Sequence, residues 1–253
     1  MILYGTAFSE SEARFLKENG LGLEVFQYAN PVFADDFDSN HSTIAEYMSG
    51  ISGISMHGAY CDTYYTSIDP LIREVTKKRF IQSMQIASYH GITRVVFHSP
   101  YRKFLNGHSP EAIDTFVKNS VDFWRDMAES IPTGMTLFIE NVEDEDPEVL
   151  VRIFEEIGNP QICCCFDIGH AYFNGRDVSL NRWIDVLKNH IGHIHIHDNH
   201  GNHDQHLPLG KGSIPLPGAI NKIIYTLGES IPFVLECNIE ESVKWLRDVG
   251  FDI

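Results

Sequence analysis

Short apolar, β-rich runs alternate with longer amphipathic stretches from one end of the chain to the other. ILYGTAF is followed by the helical pattern SESEARFLKEN, and LGLEVF by an acidic loop and a helix near STIAEYMSG. ISMH leads through a Tyr-rich loop to a long helix from about Asp69 to His90, with Asp69-Pro70 as an N-cap and first-turn pair. TRVVFH precedes a helix from about Pro110 to Ser130, capped by Ser109, and MTLFIE precedes one beginning near Asp146-Pro147. ICCCFD is followed by a loop and the helix SLNRWIDVLKNH, and GHIHIH by the longest irregular loop and then LPGAINKIIYTLG. PFVLE and the helix IEESVKWLRDVG complete the series. A helix after every strand predicts parallel pairing and, over eight units, an α/β fold of the (β/α)8 barrel type. An open doubly wound sheet is the alternative, but it gathers ligands at one switch point.

The strand ends carry the chemistry. ISMH ends in His57, VVFH in His98, LFIE in Glu140, CCCFD in Asp167, HIH in His195 and FVLE in Glu236. A parallel barrel turns all its strand C-termini to one rim, where barrel active sites lie. Asp, Glu and His make up about one residue in five, so six strand ends would all match by chance at a frequency on the order of 10⁻⁴. A lone strand-end histidine is usually a satisfied core or rim residue; the convergence argues for a metal site. Two further pairs add to it, Asp167 with His170 and Asp204 with His206 in the loop after the seventh strand. Side chains two apart in extended chain project the same way, so Asp204 and His206 are expected to reach one ion. Mixed imidazole and carboxylate donors suit Zn²⁺, Mn²⁺, Fe²⁺ or Co²⁺ better than Ca²⁺ or Mg²⁺. We expect a divalent metal, Zn or Mn, at one to three ions per chain.

Histidines crowd the stretch from His190 to His206. His193, His195 and His197 share one face of the seventh strand; His193 reads as a deeper core residue, and His197 and Asp198 as substrate-binding or ligand-orienting candidates. His200 and His203 read as solvated loop residues. A metal-storage tract is the plainer alternative, against which the strand alternation argues. Cys163, Cys164 and Cys165 read as small buried residues and not as ligands, and Cys237 should face away from Glu236. Glu24 and Glu143 carry no assignment: each is equally well a site group or a salt-bridging loop carboxylate.

At 253 residues the chain has the length of one α/β barrel of about 250 residues, and no Pro/Gly/Ser-rich linker divides it, so residues 1–253 are read as one domain. No apolar run is long enough for a membrane span, and MILYGTAF lacks the basic region and apolar core of a signal peptide. Five cysteines, three of them consecutive, cannot make a disulfide framework. A cytoplasmic location is the default expectation. With 35 acidic against 19 basic residues the formal charge is −16. Nucleic-acid binding is dominated by phosphate neutralisation, so composition favours a small substrate over DNA.

HGAY at His57, ENVE at Glu140, DIGHA at Asp167 and HIHDNHGNHDQHLPLGKG from His195 resemble the xylose-isomerase-like TIM barrels over nearly the whole chain. That superfamily joins sugar isomerases and epimerases to the endonuclease IV family. The isomerase branch implies one divalent ion on Glu140, Asp167, His195 and Glu236, with Glu140 and Glu236 as the catalytic acid/base pair and an enediolate stabilised between two sugar oxygens. The endonuclease IV branch implies three zinc ions: His57, His98 and Glu140 on one, Glu140, Asp167, His195 and Glu236 on the second, and His170, Asp204 and His206 on the third. That cluster would activate water for in-line attack on a phosphoester. The resemblance also aligns Tyr60, and Tyr60, His197, Arg102 and Lys211 are the substrate-binding candidates. Departures lie at the rim. The loop YANPVFADDFDSN holds Asp35, Asp36 and Asp38 and no cation, and Cys61 stands where an apolar wedge is expected. Arg102, Lys103, Arg176 and Lys211 are few against the six to ten phosphate contacts of a duplex track.

The expectation from sequence is therefore a metal-dependent isomerase or epimerase of a small sugar or sugar phosphate. The alternative is an endonuclease-IV-like zinc phosphoesterase acting on abasic DNA or a small phosphoester. A non-catalytic binding barrel has less support, because a binding module has no need of two opposed glutamates on one ion. Oligomerisation is left open.

Overall fold

The computed structural model describes residues 1–175 and 178–253; Arg176, one of the candidate rim cations, lies outside the described residues. Eight parallel strands close on themselves in chain order: β1 (Ile2–Thr6), β2 (Gly22–Val25), β3 (Ile54–His57), β4 (Arg94–His98), β5 (Thr136–Glu140), β6 (Ile162–Asp167), β7 (Ile191–Ile196) and β8 (Pro232–Leu235). Around them run α1 (Glu10–Glu18), α2 (Pro31–Asp35), α3 (Phe37–Met48), α4 (Pro70–Tyr89), α5 (Lys103–Asn106), α6 (Pro110–Met127), α7 (Pro147–Ile157), α8 (Ile168–Asn174), α9 (Leu180–Leu187), α10 (Leu216–Leu227) and α11 (Ile239–Asp248). The (β/α)8 barrel expected from the alternation is the fold. No helix is long and apolar enough to cross a membrane among the described residues.

Caps set the helix starts. Asp69 accepts from the Leu71 amide (2.8 Å) and Ser109 from Ala112 (3.2 Å), each ahead of a proline at the first helical position. Asp146 does the same for Glu148 at 3.0 Å. Two stretches differ from the sequence expectation. The acidic loop after β2 is largely helical, since Asn30-Pro31 supplies the same cap and proline signal as Asp69-Pro70 and starts α2. Asp35 there is bonded to Arg79 and Gln82, so part of that acidity is taken up within the protein. The segment after β6 is likewise a helix: the Asp167 side chain caps α8 by accepting from the His170 amide at 2.6 Å.

The main apolar core lies between strands and helices, where Trp124, Phe80, Phe97, Tyr65 and Trp183 are fully buried. The barrel interior differs in kind. Its apolar part is the small group Val96, Phe138 and Cys165, with Cys163 against it. Polar groups fill much of the remainder: Glu24, Ser55 and His193 are buried and bonded to one another, Ser55 Oγ and His193 Nε2 reaching Glu24 Oε2 at 2.8 and 2.9 Å. Arg94 extends inward to the Gly192 carbonyl and His193 Nδ1 (3.2 Å), its guanidinium 4.5 Å above the Phe138 ring. Tyr4 fills the space over Gly22 and Gly53, where any Cβ would fall within 2.1 and 2.4 Å of its atoms. A register shift between Cys164 and Cys165 leaves Gly192 as the extra residue of β7, after which Cys165 pairs with His193 and Asp167 with His195. That shift brings the histidine face of β7 level with Cys165 and Asp167.

Asp144, in the loop after β5, gives a stability test. Its carboxylate is buried and accepts from Ser99 Oγ (3.0 Å) and the Val142 amide (3.1 Å). Burial outweighs those bonds and pushes its pKa up to about 6. A folded pKa above the unfolded value means the native state holds the proton more tightly, so this group lowers stability as pH rises from about 4 to about 6 and keeps it lowered above. A shift of about two units corresponds to about 3 kcal/mol. Asp144→Asn should therefore gain more thermal stability over the parent at pH 7.5 than at pH 4.5, and equal differences at both pH values would refute the assignment.

Candidate metal centre

Every candidate ligand is at or just past a strand end, because side chains two apart on a strand share a face and the inward face of the last turn opens onto the rim. His57, His98, Glu140 and Asp167 are the last residues of β3 to β6, His195 is the penultimate residue of β7, and Glu236 follows β8 directly. In register, His98 sits beside Glu140 and Asp167 beside His195.

Three donor sets form, each with its ligand atoms within 4.8 Å of one another: His57, His98 and Glu140; Glu140, Asp167, His195 and Glu236; and His170, His197, Asp204 and His206. Glu140 joins the first two. Its Oε2 lies 3.4 Å from His57 Nε2, His98 Nε2 and His195 Nδ1, and its Oε1 lies 3.2 Å from His170 Nδ1. His195 Nδ1 is also 3.1 Å from Glu236 Oε1. In the third set, Asp204 lies 3.1 Å from His206 Nε2 and 3.4 Å from His170 Nε2. Asp204 and His206 do meet, though not through extended chain: His206 has φ of 45°, a left-handed turn uncommon for a side chain with a Cβ.

Three of these imidazoles are anchored through Nδ1 to a main-chain carbonyl, the His170 nitrogen lying also 3.2 Å from Glu140 Oε1. His57 Nδ1 donates to the Gly58 carbonyl (2.9 Å), His170 Nδ1 to the Asn141 carbonyl (2.9 Å) and His206 Nδ1 to the Glu236 carbonyl (2.8 Å). That turns each Nε2 toward its set, where it can offer a lone pair once its proton is displaced; against burial, the neighbouring carboxylates raise all three rings above the ordinary histidine value. His195 is reversed. Its Nε2 lies 2.9 Å from Glu24 Oε1, so Nδ1 is the atom offered to Glu140 and Glu236. Glu24, left unassigned by sequence, therefore stands behind a candidate ligand as its ion-pair neighbour, although neither Oε1 nor His195 Nε2 is aligned for a hydrogen bond. Asn141 contributes as well, its side chain bonding both the Asp167 amide and carbonyl at 2.9 Å.

Whether a cation fits is answered by orphaned atoms. Both oxygens of Glu140, Asp167 Oδ2, His195 Nδ1 and His197 Nε2 are buried with no hydrogen-bond partner. Acceptors buried without donors carry a cost that a bound cation removes, and the donors are the imidazoles and carboxylates that divalent transition metals take. Electrostatics agree. Burial would raise the Glu140 carboxyl, but the imidazoles around it, His195 foremost, hold it well below the usual range. Burial together with the charges of Glu140 and Asp167 raises Glu236 despite His195. Burial drives His98 down to about 3, so it is neutral and free to donate.

The substrate-binding candidates divide. Tyr60 stacks on His98 with centroids 4.6 Å apart, and His197 is buried within the third set. Arg102 is exposed and paired with Glu143 at 3.2 Å, which accounts for Glu143, and Lys103 is paired with Glu145. Lys211 is exposed and makes no ion pair with these groups among the described residues. His193 is the satisfied core residue expected, and His200 and His203 are exposed. Cys165 is closer to the centre than its apolar reading implied: its thiol falls within ligand distance of Glu140 and His195 because β6 turns alternate residues inward. A cavity of about 680 Å³ beside α8 and α10 is lined by none of the candidate ligands. A smaller one of about 180 Å³, lined by Thr6, Phe8, Phe26, His206 and Glu236, opens on the cluster; sequence reading missed this aromatic wall, since Phe8 and Phe26 follow strand ends that lack ligands.

Asp198 holds the loop that brings Asp204 and His206 in. Its buried carboxylate accepts from the amides of Asn199 (2.9 Å), Gly210 (3.0 Å), Gly212 (2.9 Å) and Ile214 (3.2 Å). Asp198→Asn replaces one acceptor oxygen by a donor facing two amides, a loss of about 3 kcal/mol. The thermal midpoint should fall by roughly 6–12 °C, and a fall under 2 °C would show that the loop stands without this anchor. Glu24→Gln should loosen the central set alone, weakening metal binding there by about 10- to 100-fold in chelator competition.

Comparison with known proteins agrees with this fold. A zinc-soaked Thermus thermophilus protein, TTHB071, superposes with a TM-score of 0.79 at 23% identity, covering 99% of this chain and 98% of that one. A D-tagatose 3-epimerase-like protein superposes with a TM-score of 0.76 at 21% identity, covering 98% and 96%. A probable endonuclease 4 of Ureaplasma parvum serovar 3 is 24% identical over 225 residues, which are 81% of this chain and 72% of that relative. Residues 15–249 match the family described as xylose isomerase-like TIM barrels, and the chain belongs to that family.

Proposed function

We propose that this protein is a metal-dependent phosphoesterase working on a small substrate through a cluster of divalent ions at the barrel rim. The observation that carries this reading is the convergence of His57, His98, His170, Asp204 and His206 around the Glu140, Asp167, His195 and Glu236 set. A one-ion isomerase does not need those outer groups. Divalent ions held there would supply activated water and neutralise charge on a phosphoester. Glu140, with one oxygen turned to His57, His98 and His195 and the other to His170, is placed to join neighbouring sets. Thr6, Phe8 and Phe26 would seat the apolar part of the substrate against Glu236 and His206. Tyr60, between Phe26 and His98, would close the opposite side. With Arg102 and Lys103 already paired, the substrate's phosphate would be met at the cluster and not along the rim.

A second reading, isomerisation or epimerisation of a small sugar, is favoured by one specific observation. Glu140 and Glu236 both face the central set, at 3.4 and 3.1 Å from the same His195 nitrogen, as an acid/base pair would. Ion content separates the two readings. The purified protein, freed of loosely held ions, should retain close to three per chain and hydrolyse a bis-aryl phosphate. One ion per chain with ketose epimerisation and no hydrolysis would install the second reading in place of the first. Glu140→Gln should lower kcat by at least about 10³-fold while the fold persists. Removing metal with a chelator should lower the thermal midpoint by roughly 5 °C or more, reversibly on adding Zn²⁺.

A further inference from the structure

Twelve large apolar residues are exposed among the described residues, and six of them gather at one place: Ile68, Leu71, Ile72 and Val75 at the start of α4, and Phe104 and Leu105 in α5. Ile68 is 96% exposed and Phe104 90%. The spacing of the first four sets them along one side of the first helical turns, while Thr76, Phe80, Ser83 and Met84 turn to the core. Ile68 and Leu105 line one groove of about 400 Å³, which joins the two segments. Local structure makes no use of this surface. Ile68 stands just before the cap residue, where a hydrophobic staple would pack it on the fourth helical residue, but that residue is Arg73. Arg73 instead donates to the carbonyls of Ser67 and Ile68, the latter at 3.1 Å, and the Asp69 amide donates to Ser67 Oγ at 3.1 Å. The ridge is thus pinned by its backbone with its apolar side chains outward.

We propose that this face is a two-fold contact between two copies of the chain. Area is the first argument. The six exposures together equal about four fully exposed residues, on the order of 700 Å² at about 150–200 Å² each. That exceeds the roughly 300–600 Å² of the largest patch on a typical monomer and approaches the roughly 800 Å² per partner of a standard stable interface. Charge is the second argument. A two-fold contact sets a patch against itself, so unpaired charge on it would meet its like. Here the border cations are paired within the chain: Lys77 with Asp126 (2.6 Å), Lys78 with Glu74 (2.7 Å), Lys103 with Glu145 and Arg79 with Asp35. Two copies can therefore meet there in spite of a formal charge of −16 each, and the same pairing leaves little to attract an acidic partner or an anionic membrane. Rigidity is the third: a ridge already pinned loses little freedom on association. The contact would tie together, in each copy, the segments that leave β3 and β4, the strands ending in His57 and His98.

Mass in solution is the test, and it does not depend on which reaction the barrel performs. In sedimentation velocity at about 100 μM the wild-type protein should run as two chains, dissociating on dilution with a constant of about 1 μM or lower. Ile68→Asp combined with Phe104→Asp brings like charges together across the contact and should raise that constant at least about 100-fold. Tyr225→Asp, at a residue 93% exposed on α10, should leave it unchanged. Ile68→Ser and Phe104→Ser, made singly, take the place of the double variant should it misfold. Hydrogen exchange needs no substitution: amides of residues 68–75 and 103–106 should slow as the wild-type concentration rises through the constant. Because the contact is apolar, the constant should change less than about threefold between about 0.05 and 0.5 M NaCl. One chain at every concentration, or more than two, would overturn the proposal. So would a dimer that the aspartates leave intact, or one whose slowed amides lie elsewhere. A monomeric wild type that binds phosphatidylcholine vesicles through this patch would overturn it in favour of a lipid surface.

Discussion

Four carboxylates, Glu24, Glu140, Asp167 and Glu236, are buried in one barrel interior, and the rest of the structure is arranged around that cost. Charged groups cannot be taken from water at the scale of several kcal/mol each unless opposite charge or donors meet them. Imidazoles do part of this, but not all of them can be protonated at once. His98 and His193 are pushed down by burial to about 3 and about 4, leaving the positive charge with groups such as His195, which its carboxylate neighbours raise against burial. What stays without a hydrogen-bond partner is specific: both oxygens of Glu140, one of Asp167 and one of Glu24. A bound divalent ion has the charge those atoms lack, and it would depress the raised Glu236 in the same step.

Holding such a cluster in place falls to the main-chain carbonyls behind it. Gly58, Asn141 and Glu236 each fix an imidazole by its far nitrogen, so ring orientation follows from backbone position and not from side-chain packing alone. The barrel can give up apolar filling inside because its stability lies outside, in the aromatic layer of Tyr65, Phe80, Phe97, Phe123 and Trp124 against the strands. The polar interior also carries charge to the rim: Glu24, bonded to Ser55 and His193 below, sets its second oxygen 2.9 Å from His195 Nε2 above.

How much of this was legible follows from periodicity. Strand ends at His57, His98, Glu140, Asp167, His195 and Glu236 can be read because each closes an apolar run, and the rim of a parallel barrel does the gathering. Glu24 cannot, since one acidic residue inside LGLEVF does not reveal which face it takes, and its partners lie 169 and 31 residues away. The register shift at Gly192 is equally silent, a local accident of pairing with no sequence signature beyond a glycine. The helices at Pro31 and Ile168 were within reach. Asn30-Pro31 and the Asp167 cap are ordinary start signals, hidden by acidic composition in one case and by the assumption that a site loop is irregular in the other. His197 was visible as a residue but not as the ring stacked on His206, because the loop that folds back over it is fixed by Asp198 and left-handed at His206.

The same charge arithmetic bears on substrate size. A formal charge of −16 repels anions at a distance, but at about 0.1 M salt that field fades beyond roughly 10 Å. At contact the balance reverses only where cations are bound, over the few ångströms of the cluster. A small phosphoester places its whole charge there. A nucleic acid spreads charge along the rim, where Arg102 is tied to Glu143, Lys103 to Glu145 and, across the barrel from them, Asp35 to Arg79. Apart from Lys211, each added phosphate of a polyanion would therefore meet a neutral or acidic surface among the described residues and gain little from counterion release. On the proposed reading, an attraction confined to bound ions would select for a compact anion, with Phe8 and Phe26 placed to meet what the phosphate carries.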